Sequence, residues 1–467
     1  MFSSKEEVIK DLEGILKVNG DVEILDKENL KTKIDDLVYQ SLFNPDIYIR
    51  KFIYWIMWSI SLKEGIYPSS ILELYKARGR GDFGGFTVPA INLRMLTYHL
   101  ARRIFKVAKK LNCAAFIFEI AKSEIGYTSQ RPWEYTTSIL AAALKEDYKG
   151  PVFIQGDHFQ IKRKNYFSNP EEEIHQLKKL IKEAINAGFF NIDIDTSTLV
   201  DLEKPTLEEQ QFHNYYVSAL IARYIREIQP QGVEVSLGGE IGEIGEKNST
   251  PQDLHAYMRG FLKEISPHNI EGLSKIAVQT GTSHGGVVLP DGSIASVKLD
   301  FDTLRELSYI ARKDYGLAGA VQHGASTLPK EMFHKFPEVE TAEIHLATQF
   351  QNIVYENIPQ DLREKMYDWI KKECKGDYKE GQTEEQFIYK TRKKALGPFK
   401  KQLFDLPSSI LEDIGDKLEN LFEFLFRQLN VENTRPLVEK YIKPQEIRKT
   451  VDDIIVEGDL GKLEGAD

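Results

Sequence analysis

The segment Val152-Phe153-Ile154-Gln155-Gly156-Asp157-His158 is a short apolar run that ends in a carboxylate next to an imidazole. Residues 276–286 and 320–326 repeat this pattern and carry His284 and His323 near their ends. A continuous apolar run is typical of a buried parallel strand, and in a (β/α)8 barrel the catalytic groups lie where strands end and loops begin. Three such strands predict three imidazoles at one point, and three nitrogen ligands with an open fourth position describe a catalytic zinc site.

Strand and helix patterns alternate from about residue 70 to residue 358. Strands are predicted near residues 85–91, 114–120, 151–156, 190–195, 233–238, 274–280, 318–322 and 341–346. Helices are predicted near residues 94–111, 133–146, 171–187, 207–228, 251–265, 302–314, 329–336 and 348–357. Eight alternating units favour a parallel sheet, and the count of eight favours a closed (β/α)8 TIM barrel over an open sheet. The predicted fold class is therefore α/β.

The same pattern divides the chain into three parts. We predict a helical N-terminal extension over residues 1–69, a catalytic barrel over residues 70–358 and a helical C-terminal extension over residues 359–467. The end of the last part is rich in glycine and acidic residues, which predicts a flexible acidic tail. The N-terminal extension contains a helix whose buried side chains would include Tyr54, Trp55, Met57 and Trp58. This helix would form an oligomer contact or a lid, or it would pack against the outside of the barrel, which is the favoured interpretation.

Composition limits the classes of function. A formal net charge of -10 and a pI near 5.7 argue against a protein that binds nucleic acid or a membrane surface. The polar N-terminus is not a signal peptide, and the apolar segment at residues 52–62 is too short to span a bilayer. Cys113 and Cys374 make no disulfide framework, which favours a reducing compartment. We therefore expect a cytoplasmic protein with a small-molecule substrate.

Carboxylates accompany the predicted histidine cluster. Asp157 precedes His158, so it could carry a proton beside a Lewis acid, or it could instead orient an imidazole. After the fifth strand, Glu240, Glu243 and Glu246 alternate with glycines in a segment that is not helical. One of these carboxylates could approach the metal and another could act as a base on a mobile loop. Acidic glycine-containing loops are also common as solvated surface segments.

Glycine-rich turns follow two of the histidines. Gly285-Gly286 follows His284, and Gly324-Ala325-Ser326 follows His323. Backbone N–H groups in such turns can hold an anion, as in the phosphate sites late in barrels, although glycine also simply permits a tight turn. Basic residues that could assist are Arg78, Arg80 and the cluster at residues 392–394.

Together these motifs resemble the class II, metal-dependent fructose-bisphosphate and tagatose-bisphosphate aldolases. Residues 277–286 (Ala-Val-Gln-Thr-Gly-Thr-Ser-His-Gly-Gly) closely resemble the strand-six motif of that family. The other similar strings are Gly-Asp-His at 156–158, His-Gly-Ala-Ser at 323–326, Gly-Glu-Ile-Gly at 239–242, Phe-Thr-Val-Pro-Ala-Ile-Asn at 86–92 and Ile-Asp-Thr-Ser at 194–197. They occur in the family's order over about residues 70–357, so the set is specific although each string is not.

The resemblance implies a metal site. Its ligands would be His158, His284 and His323. The bound ion would be Zn²⁺ or another divalent metal, and the site could also take a monovalent cation. Glu240, which we include among the metal ligands, and Asp195 would lie near alternative metal positions. Zn²⁺ on a ketone oxygen would stabilise the enediolate formed on cleavage, so no Schiff-base lysine is required.

The resemblance also implies roles in proton transfer and substrate binding. Asp157 would exchange the proton of the hydroxyl at which the carbon bond breaks. A glutamate of the strand-five loop would handle the carbon-bound proton, and spacing favours Glu246 over Glu243. Residues expected to bind the substrate or its phosphate are Asn92, Gly285, Gly286, Gly324, Ala325, Ser326, His345, Thr348 and Arg392.

Three positions depart from the family pattern. Val288 stands where the family often has a phosphate-binding lysine, Ile120 or a neighbour replaces a hydroxyl residue, and His345 replaces an asparagine on strand eight. We therefore expect metal-assisted aldol chemistry on a ketose (bis)phosphate or a related sugar, rather than fructose 1,6-bisphosphate in particular. The alternatives are a metal-dependent ketose or ketose-phosphate epimerase and a non-catalytic aldolase partner subunit. The resemblance and the aromatic helix also predict a homo-oligomer.

Overall fold

Eight parallel strands close into a barrel in the computed structural model of the chain. The structure describes residues 1–242, 247–281, 299–456, 458 and 463. Its strands are β1 Leu16–Val18, β2 Val22–Ile24, β3 Ile66–Ser69, β4 Val88–Asn92, β5 Ile117–Ala121, β6 Gly150–Gln160, β7 Asn191–Asp195, β8 Ser236–Glu240, β9 Lys275–Val278, β10 Ala320–Gln322 and β11 Glu343–Leu346.

The α-helices of the described residues lie before, within or after the run of barrel strands. Before the barrel they are α1 Lys5–Asp11, α2 Lys27–Phe43, α3 Ile47–Lys63 and α4 Leu72–Gly79. Within it they are α5 Thr97–Lys110, α6 Lys122–Thr128, α7 Pro132–Lys145, α8 Arg163–Ser168, α9 Pro170–Asn186, α10 Leu207–Ile228, α11 Pro251–Ile265, α12 Phe301–Tyr315, α13 Lys335–Glu338 and α14 Thr348–Asn357. After it they are α15 Gln360–Glu373, α16 Glu384–Thr391, α17 Lys400–Phe404, α18 Ser408–Gln428 and α19 Arg435–Tyr441.

The barrel runs from β4 to β11 in chain order. Each strand pairs in parallel with the next, and β11 pairs with β4 to close the ring, with Glu343 opposite Val88 and Leu346 opposite Ile91. The prediction of a (β/α)8 TIM barrel is therefore confirmed, and each of the eight predicted strands overlaps an observed one. Parallel closure places the carboxyl ends of all eight strands at one rim, where functional groups can meet.

Two local features differ from the expected pattern. The helix predicted near residues 329–336 is instead a 3-10 turn, Lys330–Met332, followed by the short α13. Pro337 lies within α13 and lacks the N–H donor that a longer helix through this segment would need. The N-terminal region also contains strands: β1 and β2 form an antiparallel hairpin, and β3 pairs in parallel with β6.

The aromatic residues of α3 pack within the same chain. Tyr54, Trp55, Met57 and Trp58 are all buried. The Trp58 ring lies 5.5 Å from that of Trp133 on α7, measured between centroids. The indole N–H groups of Trp55 and Trp58 donate to the carbonyl oxygens of Lys449 and Ile447, each at 2.7 Å. The structure therefore shows α3 packed between the barrel's helices and the C-terminal segment, as the favoured interpretation expected.

The C-terminal helices also pack against the barrel. Arg103 on α5 forms ion pairs with three acidic residues of α18, Glu412, Asp416 and Glu419. The backbone N–H of Thr87, just before β4, donates to the Leu429 carbonyl at 2.9 Å. None of the described helices combines the length and apolar character that a membrane crossing requires. The predicted flexible tail falls mostly on residues 457, 459–462 and 464–467, which lie outside the described residues.

Gly79, the last residue of α4, provides a test of the packing around the barrel. A Cβ at this position would lie 2.0 Å from the Gly316 carbonyl oxygen and 3.0 Å from that of Leu317. Because these are backbone atoms, they cannot rotate away from an added methyl group. We expect Gly79→Ala to lower the free energy of unfolding by about 3 kcal/mol, measured by urea denaturation. Gly376→Ala is the control, since a Cβ there meets nothing within 4 Å, and equal stability of the two variants would contradict the expectation.

Candidate metal centre and active site

A β-bulge in β6 sets the directions of Asp157 and His158. The pairing of β6 with β7 shifts register between Gly156 and Phe159, and His158 has a φ of 39°, in the left-handed region. Successive side chains of a regular strand point to opposite faces, whereas a bulge redirects them. Here Asp157 Oδ1 and His158 Nε2 lie only 3.8 Å apart. Gly156 permits the bulge, because a Cβ there would stand 2.5 Å from the Phe159 ring.

Two carboxylates orient the His158 ring. Its Nδ1 lies 2.9 Å from Asp195 Oδ2 and 3.2 Å from Glu240 Oε2. Asp195 is itself held by Gln160, whose Nε2 donates to Oδ2 at 2.6 Å, and by Ser197, whose hydroxyl donates to Oδ1 at 2.7 Å. A carboxylate at one ring nitrogen fixes the tautomer and directs the other nitrogen toward a metal. The arrangement therefore suits His158 as an Nε2 ligand.

His323 completes a possible set of metal ligands. It follows β10 directly, and its ring centroid lies 4.2 Å from that of His158. Asp157, His158 and His323 each offer one ligand atom, and these atoms all lie within 4.8 Å of one another. All three side chains are buried. Nitrogen and oxygen donors at this spacing fit a divalent transition metal such as zinc.

His345 lies beneath this set and joins it to a buried network of charged residues. Its ring centroid is 4.0 Å from that of His323. Its Nδ1 lies 3.0 Å from Glu119 Oε2 and 3.2 Å from Asp157 Oδ1, and its Nε2 lies 2.8 Å from Glu343 Oε1. His345 therefore links Asp157, the carboxylate beside His158, to the interior of the barrel.

Lys275 is the cation at the centre of that interior. Its ammonium lies 2.5 Å from Glu343 Oε1 and 2.9 Å from Asp193 Oδ1, and it donates to Gln155 Oε1 at 2.7 Å. Gly238 on β8 makes room for this group, because a Cβ there would stand 2.2 Å from Asp193 Oδ1. Buried charges are tolerated when they are paired and hydrogen-bonded in this way.

Burial and neighbouring charges shift the protonation of the site. Burial raises the pKa of Glu119 to about 8 and that of Glu240 to about 7. Burial alone would also raise the pKa of Glu343, but Lys275 and His345 hold it at about 2. Burial would lower the pKa of His158, but the charges of Asp157 and Glu240 raise it well above its ordinary value. The carboxylates around His158 thus favour a positive charge at the centre of the site.

The charge balance provides a test of whether a metal fits. The carboxylates of the network outnumber its one lysine and three imidazoles; Glu119, Asp157, Asp195, Glu240 and Glu343 are buried, and Asp193 is partly exposed. Glu119 Oε1 is buried without a hydrogen-bond partner among the described residues. A divalent cation held by the His158 and His323 nitrogens, with the Asp157 carboxylate beside it, would offset this negative charge. The residues of this centre therefore fit a divalent metal ion.

Several predicted substrate-binding residues lie beside this centre. Gly324 has a φ of 70° and begins the 3-10 turn Ala325–Thr327. The Ser326 hydroxyl accepts a hydrogen bond from the backbone N–H of Ala347 at 2.7 Å, which ties the turn to the end of β11. Thr348 is the first residue of α14. These residues share the rim at which His323 and His345 lie.

Two other predicted residues have their contacts elsewhere. Asn92 ends β4 and donates through Nδ2 to Glu124 Oε2 at 2.6 Å. Arg392 donates to Asn352 Oδ1 at 2.5 Å, and its guanidinium carbon lies 4.2 Å from the Tyr389 ring centroid. The guanidinium carbon also lies 5.0 Å from the Tyr355 ring centroid, and none of these contacts of Arg392 is with the clustered histidines. Glu243, Glu246, His284, Gly285 and Gly286 lie outside the described residues.

The network includes residues that the sequence analysis did not single out. Glu119 lies in the middle of the otherwise apolar β5, and Lys275 and Glu343 are the first residues of β9 and β11. A charged side chain is almost never fully buried unless it is paired, so a charge within a barrel strand was the available signal. It does not reveal which residues pair, because the partners lie on different strands.

The chain is similar in sequence and in fold to known proteins. The sequence model of the class II fructose-bisphosphate aldolase family matches residues 78–406. No curated protein sequence matches the chain. A solved structure described as a probable tagatose 6 phosphate kinase from Sinorhizobium meliloti 1021 is 14% identical, covers 76% of this chain and 99% of its own, and has a TM-score of 0.51. This similarity shows a shared fold.

Two further solved structures are similar at lower TM-scores. Fructose-bisphosphate aldolase from Campylobacter jejuni is 16% identical and covers 79% of this chain and 97% of its own, with a TM-score of 0.47. Fructuronate-tagaturonate epimerase from Cohnella laeviribosi is 15% identical and covers 74% of this chain and 82% of its own, with a TM-score of 0.49.

Proposed function

Because the chain belongs to the class II fructose-bisphosphate aldolase family, we propose that it is a zinc-dependent aldolase-type lyase. It would cleave or form a carbon–carbon bond in a ketose (bis)phosphate or a related sugar. The observation that carries the proposal is the meeting of Asp157, His158 and His323 ligand atoms within 4.8 Å. A buried set of two imidazoles and a carboxylate at the carboxyl rim of a barrel is suited to catalysis by a metal ion.

The metal would be held from several strands. His158 from β6 and His323 after β10 would bind through imidazole nitrogens, with His284 as the third ligand by its place in the sequence. Glu240, 3.2 Å from His158 Nδ1, would orient that ring or hold the ion in a second position. When bound, Zn²⁺ would supply a Lewis acid that polarises the ketone and stabilises the enediolate.

The chain's own residues would carry the protons. Asp157 would take the proton from the substrate hydroxyl at the carbon where the bond breaks, and return it in the reverse direction. His345, 3.2 Å from Asp157 Oδ1, would keep this carboxylate in position. Glu246, assigned from its place in the strand-five loop, would exchange the proton on carbon. The Gly324 turn with Ser326 would hold an anionic group of the substrate.

Metal analysis combined with a substrate panel tests the proposal. We expect about one zinc per chain after purification in metal-free buffer, loss of ketose-phosphate cleavage on chelation, and recovery when Zn²⁺ is added. Nuclear magnetic resonance of the products identifies the reaction, since two fragments indicate a lyase and an intact inverted sugar indicates an epimerase. A chain without zinc that turns over none of the ketose phosphates would contradict the proposal and favour a non-catalytic subunit.

A further inference from the structure

Tyr75 reaches into the barrel from the end opposite the candidate metal centre. It lies on α4, before the first barrel strand, and so outside residues 78–406 that match the aldolase family. Only 1% of the residue is exposed, and its hydroxyl donates to Glu343 Oε2. Glu343 is the first residue of β11, whereas the catalytic groups of such barrels lie at the carboxyl ends of the strands. A residue of the N-terminal region therefore contacts the charged interior from the amino end of the barrel.

The helix that carries Tyr75 is tied to the barrel. Arg78, one turn further along α4, is buried and donates to the carbonyl oxygens of Phe86 at 2.5 Å and Thr341 at 3.2 Å. These two residues precede β4 and β11, the strands that close the ring. Burial and the charge of Glu343 raise the pKa of Tyr75 well above its ordinary value, so its hydroxyl keeps the proton that it donates.

Glu343 connects this contact to the metal centre through His345. The two residues are two apart on one strand, so both face the interior, and His345 lies about 7 Å nearer the carboxyl rim. Glu343 Oε1 lies 2.8 Å from His345 Nε2, and Nδ1 of the same ring lies 3.2 Å from Asp157 Oδ1. The Lys275 ammonium lies 2.5 Å from the same Oε1. The Tyr75 hydroxyl at Oε2 thus holds the carboxylate where Oε1 meets both the ammonium and the imidazole.

We propose that Tyr75 is a positioning residue that holds Asp157 for proton transfer, acting through Glu343 and His345. Without the hydroxyl, Glu343 Oε2 would lose a donor in a buried site, which is unfavourable, and the carboxylate would turn toward Lys275. The His345 ring would then lose its partner at Nε2 and would shift from its place beside Asp157. This inference rests on the proposed function, in which Asp157 carries the proton, and extends it to a residue outside the barrel.

Tyr75→Phe tests the inference, because it removes only the hydroxyl and keeps the ring. In zinc-loaded protein we expect kcat for ketose-phosphate cleavage to fall about tenfold, the effect of one lost hydrogen bond, while KM and zinc content stay unchanged. The nitrogen NMR signals of the His345 ring, assigned by comparison with His345→Gln, should shift. Tyr98→Phe is the matched control, since Tyr98 is also buried and its hydroxyl donates to Asp35 Oδ1 at 2.5 Å, between α5 and α2. Its kcat and its His345 signals should equal those of the wild type.

A double-mutant cycle tests the route through Glu343. If Tyr75 acts through this carboxylate, Glu343→Gln should also lower kcat, and adding Tyr75→Phe to that variant should lower it no further. Additive losses would overturn the route. If Glu343→Gln does not fold, the His345 signals of Tyr75→Phe still decide whether the hydroxyl reaches the ring.

The outcomes separate this inference from the proposed function. Unchanged His345 signals in Tyr75→Phe would overturn it whatever the rates. In an active enzyme, a kcat within about twofold of the wild type, or an equal loss in Tyr98→Phe, would overturn it as well. A chain that turns over none of the ketose phosphates would refute the aldolase proposal, and shifted His345 signals would still support the link from α4 to that ring.

Discussion

Replacement of His323 by alanine is expected to remove the bound metal and to lower kcat/KM about a thousandfold. The ring lies 4.2 Å from that of His158 between centroids, and both offer ligand atoms to one position. Loss of an imidazole ligand removes the Lewis acid, which contributes several kcal/mol of transition-state stabilisation, and each 1.36 kcal/mol is a factor of ten. Metal content by mass spectrometry and the rate of ketose-phosphate cleavage measure the two effects.

The control for this variant is His334→Ala. His334 is half exposed and its Nε2 lies 3.8 Å from Glu338 Oε1, so its removal should change neither zinc content nor rate. Circular dichroism would verify that both variants are folded. If His323→Ala keeps its zinc and its rate within about threefold of the wild type, the ligand assignment is wrong.

Replacement of Asp157 by asparagine is expected to lower kcat at least about a hundredfold while the zinc content stays unchanged. The substitution preserves shape but removes the group that accepts the substrate proton. The carboxylate is buried and lies 3.2 Å from His345 Nδ1, so water is poorly placed to replace it. Single-turnover measurements with a ketose phosphate would isolate the cleavage step from product release.

This variant also separates the two roles considered for Asp157. If the carboxylate only orients an imidazole, the asparagine variant should bind zinc about 10–100-fold more weakly, and excess zinc should restore its rate. If it carries the proton, excess zinc should have no effect. Asp302→Asn is a matched control, since Asp302 lies on the exposed face of α12 and pairs only with Arg305 among the described residues.

The fold could be predicted because its determinants are local. Apolar runs near Val152, Ile276 and Ala320 mark strands, and the helical patterns between them impose parallel pairing. The places of His158 and His323 follow from the same logic, since each lies near the end of its own strand. The bulge between Gly156 and Phe159 could not be predicted, because it depends on the register between β6 and β7.

The charged interior of the barrel was decided by the tertiary structure. Lys275 lies 68 residues from Glu343 and 120 residues from Gln155 along the chain, yet it contacts both. Such pairs form only after the sheet closes into a barrel. Closure and the stagger between strands place inward-facing residues of different strands at the same height along the barrel axis. The sequence by itself determined the alternation of elements and the rim at which the histidines lie. Only the closed barrel decided which carboxylates surround them, because that choice depends on distances across the ring and not on spacing along the chain.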